Sequence, residues 1–233
     1  MNNKHTDPRR NHLLAMLPPD EYEHLLPALE KINFHAGEVL NEPHKKSRYA
    51  YFPVDGAVSL YYPMDHGVSA GIAMIGNEGM CSIVPVLGGE GLPYMAVVET
   101  AGYAYRLDVK VLQRELERSE NLRHLLLLYV QSLFVQIAQM MVCGRHHTLR
   151  QQLCLHLLLM QDRMLSHRLS LTQQTIAHML GVRRESVSKV AGELRDDGVI
   201  DYRRGRIAVL DRAALEAACC ECYGVISAGQ QDG

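Results

Sequence analysis

Apolar positions along the chain fall into three rhythms, and each predicts a different kind of element. Between residues 13 and 30 the rhythm is helical: Pro18-Pro19-Asp20 precedes a helix starting near Glu21, with Leu25, Leu26 and Leu29 as its stripe. From Ile32 to Leu107 short alternating runs stop at turn signals such as Ala36-Gly37, Asp55-Gly56, Asp65-His66-Gly67, Gly76-Asn77-Glu78-Gly79 and Gly88-Gly89-Glu90-Gly91. Val58, Leu60 and Tyr62 share one strand face, as do Ala96 with Val98 and Tyr103 with Tyr105 and Leu107. Regular short strands of this kind predict a β-sandwich or β-roll.

After Leu107 the helical rhythm returns. Asp108 can cap a short turn through Val111, Leu112 and Leu116, and Ser119-Glu120 opens a long helix reaching about Cys143. Its stripe is Leu122, Leu125 or Leu126, Tyr129, Leu133, Ile137, Met140 and Met141, and Leu126, Leu127, Leu128, Val130 and Phe134 widen the apolar surface. A helix this apolar must be covered on two sides. One side can pack on the strands and the other on a second copy, which makes that stripe a dimer seam; burial within one subunit is the alternative. Gly144 marks the expected hinge. A further helix over His146 to Met164 turns Leu149, Leu153, Leu157 and Met160 toward the C-terminal part of the chain.

That part begins with LSLTQQTIAHMLGVRRESVSKVAGELRDDGVIDYRRGRIAVL, residues 169–210. Thr172 is a good N-cap, and Ile176, Ala177 and Leu180 share a face up to a turn at Gly181. The next helix, Arg184 to Asp196, buries Val187, Val190, Ala191 and Leu194 and shows Arg184, Glu185, Ser188 and Lys189 on its other side. This is a helix-turn-helix whose second helix suits a DNA major groove. Arg184 can donate bidentately to guanine, Glu185 can accept from cytosine, and Lys189 can reach a base edge or a phosphate. Two strands around Arg203-Arg204-Gly205 predict a basic wing against the phosphate backbone.

Composition narrows the picture. The 233 residues are 47% hydrophobic and 21% charged, a globular balance, and the net charge of −2 leaves any DNA affinity to a local patch. Residues 1–12 are polar and lack the apolar core of a signal peptide, and the longest apolar run, Leu125 to Val130, is far short of a membrane span. Six cysteines without framework spacing agree with a reducing compartment, so a soluble cytoplasmic protein is expected. No P-loop, nucleophile elbow or HExxH motif is present, so no catalytic role is assigned.

The segments FHAGEVLNE (34–42), AYFPVDGAVSLYYPMDHG (50–67) and TQQTIAHMLGVRRESVSKV (172–190) together resemble the Crp/Fnr family of transcription regulators, over nearly the whole chain. The resemblance implies an α+β fold: a cyclic-nucleotide-binding-like, jelly-roll-like double-stranded β-helix over 13–118, a dimerisation helix over 119–144, a Crp-type winged helix-turn-helix over 145–223 and a flexible tail over 224–233. It implies a homodimer on a palindromic operator in double-stranded DNA, with RNA polymerase as a further partner and no membrane. Base reading would fall to Arg184, Glu185, Ser188 and Lys189. Phosphate contacts would fall to Thr172, Gln173, Arg183, Ser186 and the wing at Arg203 or Arg204.

The sensor half departs from the family's best-known pattern. Members that bind cyclic AMP carry a Gly-Glu-Leu-like turn and a downstream Arg that neutralises the phosphate. The corresponding segment here, residues 79–99, has no such turn, and no Arg or Lys occurs between Arg48 and Arg106. Ordinary cyclic AMP binding is therefore not expected, although a cyclic-nucleotide-responsive regulator and a protein-docking module remain the alternatives. Relatives that sense oxygen through an iron–sulfur cluster use N-terminal cysteines, and none precedes Cys81. Cys219, Cys220 and Cys222 lie on an expected helix from Arg212 to Tyr223. Three cysteines do not close a tetrahedral site and no histidine lies nearby in sequence, so packing is the preferred reading and no metal is assigned. His35, His44 and His66 are the histidines a haem would use, and none is assigned. No cofactor is assigned, and the effector stays open.

Overall fold

A computed structural model describes residues 7–64, 69–91, 93–164, 168–169, 171–203 and 206–231. The expected turn at Asp65-His66-Gly67, the wing residue Arg204 and the last two residues lie outside them. Two short helices, α1 (His12–Ala15) and α2 (Pro19–Leu25), lead into seven strands: β1 (Glu30–Phe34), β2 (Val39–Asn41), β3 (Tyr49–Asp55), β4 (Val58–Pro63), β5 (Ser69–Ile75), β6 (Met95–Val98) and β7 (Gly102–Asp108). A single turn, α3 (Ile83–Val86), sits between β5 and β6.

The strands form two antiparallel sheets, ordered β1-β7-β3 and β2-β6-β4-β5. Alternating apolar positions make the sheets pack face to face, burying Phe34, Val58, Leu60, Ala96 and Val98. The expected face of β4 needs one correction. Its pairing with β5 shifts register between Leu60 and Tyr61, so Tyr61 turns inward and Tyr62 is 46% exposed. A one-residue slip flips every later side chain across the sheet, and strict alternation does not foresee a bulge.

Helix α4 (Val109–Arg118) starts at Asp108, whose carboxylate accepts from the Lys110 N–H at 2.9 Å. Helix α5 (Glu120–His146) starts at Ser119, whose hydroxyl accepts from the Leu122 N–H at 2.9 Å. At 27 residues, α5 is about 40 Å long. By length and composition it could cross a bilayer, a test that apolar runs alone do not capture and that core helices also pass. It packs on the sheets instead. The Tyr129 hydroxyl donates to the Met80 carbonyl at 2.7 Å, and the buried Gln136 amide donates to the Met74 carbonyl of edge strand β5 at 2.9 Å. A side chain thus satisfies a sheet edge that would otherwise be bare.

These contacts set the rotation of α5 and revise the expected seam. Leu122, Leu126 and Tyr129 are buried in the core of their own subunit, and Leu133, Ile137 and Met140 are half-buried against it. The exposed apolar row is Leu127 (56%), Phe134 (71%) and Met141 (58%), spaced by heptads. Sequence spacing cannot tell which of two apolar faces its own domain covers. The expected hinge also moves: α5 runs through Gly144, and the chain breaks at His147-Thr148.

Helix α6 (Leu149–Arg163) opens with a capping box between Thr148 and Gln151 and buries nearly its whole length. Strand β8 (Arg168–Leu169), helices α7 (Gln173–Leu180) and α8 (Arg184–Asp196), and strands β9 (Ile200–Arg203) and β10 (Arg206–Val209) come next, with sheet order β8-β10-β9. The expected single C-terminal helix is two: α9 (Arg212–Ala217) and α10 (Cys222–Gln231). Residues expected as a flexible tail therefore continue α10, which packs along α5 with Ile226 buried.

Candidate nucleic-acid interface

Local chemistry builds the reading head. The Thr172 hydroxyl accepts from the Thr175 N–H at 3.0 Å and starts α7. Gly181, at φ +64°, ends it in the left-handed region that favours glycine. The chain can then turn at once into α8, whose Val187, Val190, Ala191 and Leu194 are buried against α6 and α7. Arg184, Glu185, Ser188 and Lys189 are all exposed on the opposite face. Among the described residues none of the three charged ones has an ion-pair partner.

The remaining sequence candidates cluster around that face. Thr172 and Arg183 are exposed, and Gln173 and Ser186 are half-buried beside them. Ser188 donates to the Gln173 side chain at 2.8 Å, so a base-reading and a phosphate candidate are tied together across the motif. The Gln173 N–H donates to the Tyr202 hydroxyl at 3.1 Å, fixing the start of α7 to strand β9. Arg203, on the wing, is exposed and pairs with Asp201 at 3.2 Å. A phosphate would have to displace that carboxylate.

The head is docked on the first domain of its own chain. Arg163, at the end of α6, is 1% exposed and donates through Nε to Glu78 at 2.6 Å and through Nη1 to the Leu159 carbonyl at 2.9 Å. Its aliphatic stem lies where a Cβ at position 76 would be, so only glycine admits it. Glu78 also accepts from the Gly76 N–H at 3.0 Å. In the sequence Glu78 stands out only as a glutamate outside the nucleotide-binding turn; its partner is 85 residues away and carries no local signal. Nearby, the Tyr61 hydroxyl donates to buried Glu99 at 2.5 Å, and burial raises the values of both groups. The Tyr61 ring lies 5.9 Å from that of His178 on α7. A groove of about 520 Å³ runs between β2 and β6 of the roll and Thr172, Thr175 and His178 of α7.

Inside the roll there is little free space. Asn41, Lys45, Leu60, Ser82 and Tyr94 line a space of about 10 Å³, room for one water. Lys45 supplies a cation there from outside the cassette segment, but its Nζ is held by Glu42 at 2.5 Å. Of the histidines weighed for haem, His35 is exposed beside Glu38, and His44 sits in a loop at φ +59°. His66 is outside the described residues.

The cysteines are placed differently from the sequence reading. Cys220 and Cys222 meet Cys143 and His147 at the end of α5, while Cys219 faces the Gln151 carbonyl at 3.9 Å. The ligand atoms of the four residues all lie within 4.8 Å of one another. A histidine absent from the neighbouring sequence is thus present at the end of the neighbouring helix. All six cysteines are free thiols, and burial raises Cys154 to about 11 and Cys219 to about 12.

Comparison with known proteins agrees with this architecture. Residues 151–218 match the Crp-like helix-turn-helix domain. Among solved structures, FixK2 from Bradyrhizobium japonicum superposes with a TM-score of 0.71 at 16% identity, over 82% of this chain and 98% of that one. A CRP/FNR-family transcriptional regulator from Thermus thermophilus gives 0.65 at 23% identity, over 81% and 97%. The c-di-GMP-responsive global regulator CLP of Xanthomonas campestris gives 0.64 at 13%, over 83% and 100%. No curated protein matches by sequence. Several of the solved structures that share the fold are transcriptional regulators of the CRP/FNR family.

Proposed function

We propose that this chain, a Crp/Fnr-type transcription regulator by its fold and its Crp-like helix-turn-helix domain, works in the cytoplasm as a homodimer on a palindromic DNA operator. The observation that carries the reading is the face of α8, where Arg184, Glu185, Ser188 and Lys189 stand exposed together and its charged groups lack ion-pair partners among the described residues. Leaving two cations and an anion available on a helix that fits the major groove has a use when base edges supply the partners. Thr172, Gln173, Arg183 and Ser186 would hold phosphates around it, with Arg203 or Arg204 doing so on the wing. The heptad row Leu127, Phe134 and Met141 would seat the second copy, because an exposed apolar row along a long helix is covered when another helix packs on it.

The first domain acts in this proposal as a regulator that does not take cyclic AMP in the usual way. The absence of any Arg or Lys between Arg48 and Arg106 supports that. A signal would act by shifting α5 against α6 at His147-Thr148, changing the spacing of the two recognition helices. RNA polymerase is the partner through which a bound dimer would alter transcription.

Selection of preferred sequences from a random DNA pool, at fixed salt and with or without cyclic AMP, tests the proposal. A palindrome of G-containing half-sites, unaffected by the nucleotide, is the expected result. A requirement for cyclic AMP would overturn the reading of the roll. An enriched site without two-fold symmetry would overturn the dimer.

A further inference from the structure

We propose that Cys143, His147, Cys220 and Cys222 form a mononuclear zinc site that clamps the end of α5 to the last two helices of the DNA-binding domain. Three thiols and one imidazole from two separate stretches converge, with their ligand atoms within 4.8 Å of one another. The Cys143 and Cys220 sulfurs are 3.6 Å apart, and Cys222 Sγ lies 3.4 Å from His147 Nδ1. A tetrahedral ion with Zn–S near 2.3 Å and Zn–N near 2.0 Å has edges of about 3.8 Å between sulfurs and about 3.6 Å between sulfur and nitrogen. The shortest separations therefore already match, and the widest close by about 1 Å through side-chain rotation. A disulfide, at about 2.05 Å, is much further from the observed spacing. An iron–sulfur cluster would hold its cysteines around several irons and needs a wider cage.

The surroundings point to a ligand independently. His147 Nε2 lies 3.3 Å from the Glu221 carboxylate, and a proton shared between those two groups leaves the Nδ1 lone pair free for a metal. Gln139 donates its side-chain N–H to Cys222 Sγ at 3.0 Å, as a donor to a metal-bound thiolate does. Cys143, Cys220 and Cys222 are buried, while the side chain of His147 keeps 14% exposure at the rim and gives an ion a way in. Four protein ligands leave no open position, so the site is structural: Zn²⁺ enters, three thiol protons leave to solvent, and nothing is oxidised or reduced. The ligands Cys143 and His147 lie at the break between α5 and α6, so a bound ion would fix the joint between the two domains.

Titration of the reduced, chelator-stripped full-length protein with Co²⁺ and then Zn²⁺ tests the assignment without reference to DNA. The expected result is one Co²⁺ per chain, with the intense visible bands of a tetrahedral site and thiolate-to-cobalt charge transfer, displaced by Zn²⁺. Absence of those bands from protein whose thiols are shown to be reduced would overturn the proposal. His147→Ala and Cys222→Ser should remove the bands or change them, and Cys219→Ser should leave them intact; the reverse pattern would also overturn it. Glu221→Gln should weaken Zn²⁺ binding by about 10–100-fold with the same stoichiometry.

Discussion

The chain uses arginine and glutamate twice, in opposite ways. On α8, Arg184 and Glu185 are neighbours in sequence, exposed and without ion-pair partners among the described residues. At the domain junction, Arg163 and Glu78 come from different domains and meet at 2.6 Å, with the arginine almost fully buried. In water a charge loses little by standing alone, so α8 can keep its groups ready for a nucleic acid. Away from water an unpaired charge is costly, so Arg163 must be matched, and matching it fixes where α6 sits on the roll. Charged groups stand exposed in one place and hold the helix-turn-helix domain on the roll in the other.

The strongest way to break this contrast is Glu78→Gln. It leaves the Arg163 charge buried and should destabilise the protein by about 3–5 kcal/mol, read as a fall in the urea midpoint. A loss as small as that of an exposed pair would remove the distinction. Next is Phe134→Ala, which should weaken the proposed dimer by about 1.5–3 kcal/mol per side chain removed from the seam, read by sedimentation. Leu126→Ala should lower the stability of the subunit instead, because Leu126 is already buried within it.

Substitutions on the reading head sharpen the exposed side of the comparison. Arg184→Ala should cost about 1–3 kcal/mol of operator affinity and relax preference at one base pair, with the urea midpoint unchanged. Arg203→Ala should weaken binding evenly across sequences and reduce the salt slope by about 1. Equal effects of the two on specificity would contradict the division between base and phosphate contacts.

A pH series gives the smallest expected effect. His156 is buried on α6, and burial foremost, with Arg163 nearby, lowers its value below the ordinary 6.5. Above that value the ring is neutral in folded and unfolded chains alike, and its contribution to stability is intact. As pH falls below about 6.5 the unfolded chain takes up the proton first, and stability is lost toward the depressed folded value. His156→Gln should flatten that loss; an unchanged slope would assign it to other groups.

Much of the reading head was legible because its causes are local. Thr172 caps the helix that its hydroxyl suggested, Gly181 makes the turn only a permissive residue makes easily, and α8 spans the residues its spacing predicted. The errors occur where a second segment decides. The bulge after Leu60 reversed Tyr61 and Tyr62, and the roll covered Leu122, Leu126 and Tyr129 from within the subunit. Neither event leaves a mark on periodicity, because both apolar faces of α5 look alike until one is covered.

By itself the sequence determined the helix caps, the turn at Gly181, the alternating strands and the polar face of α8, since each depends on interactions within a few residues. Only the tertiary structure decided which row of α5 stays exposed, that Glu78 answers Arg163, and that Cys143 and His147 stand beside Cys220 and Cys222. Those contacts join groups more than 70 residues apart. Their partners are chosen by how the domains pack, which no local pattern encodes.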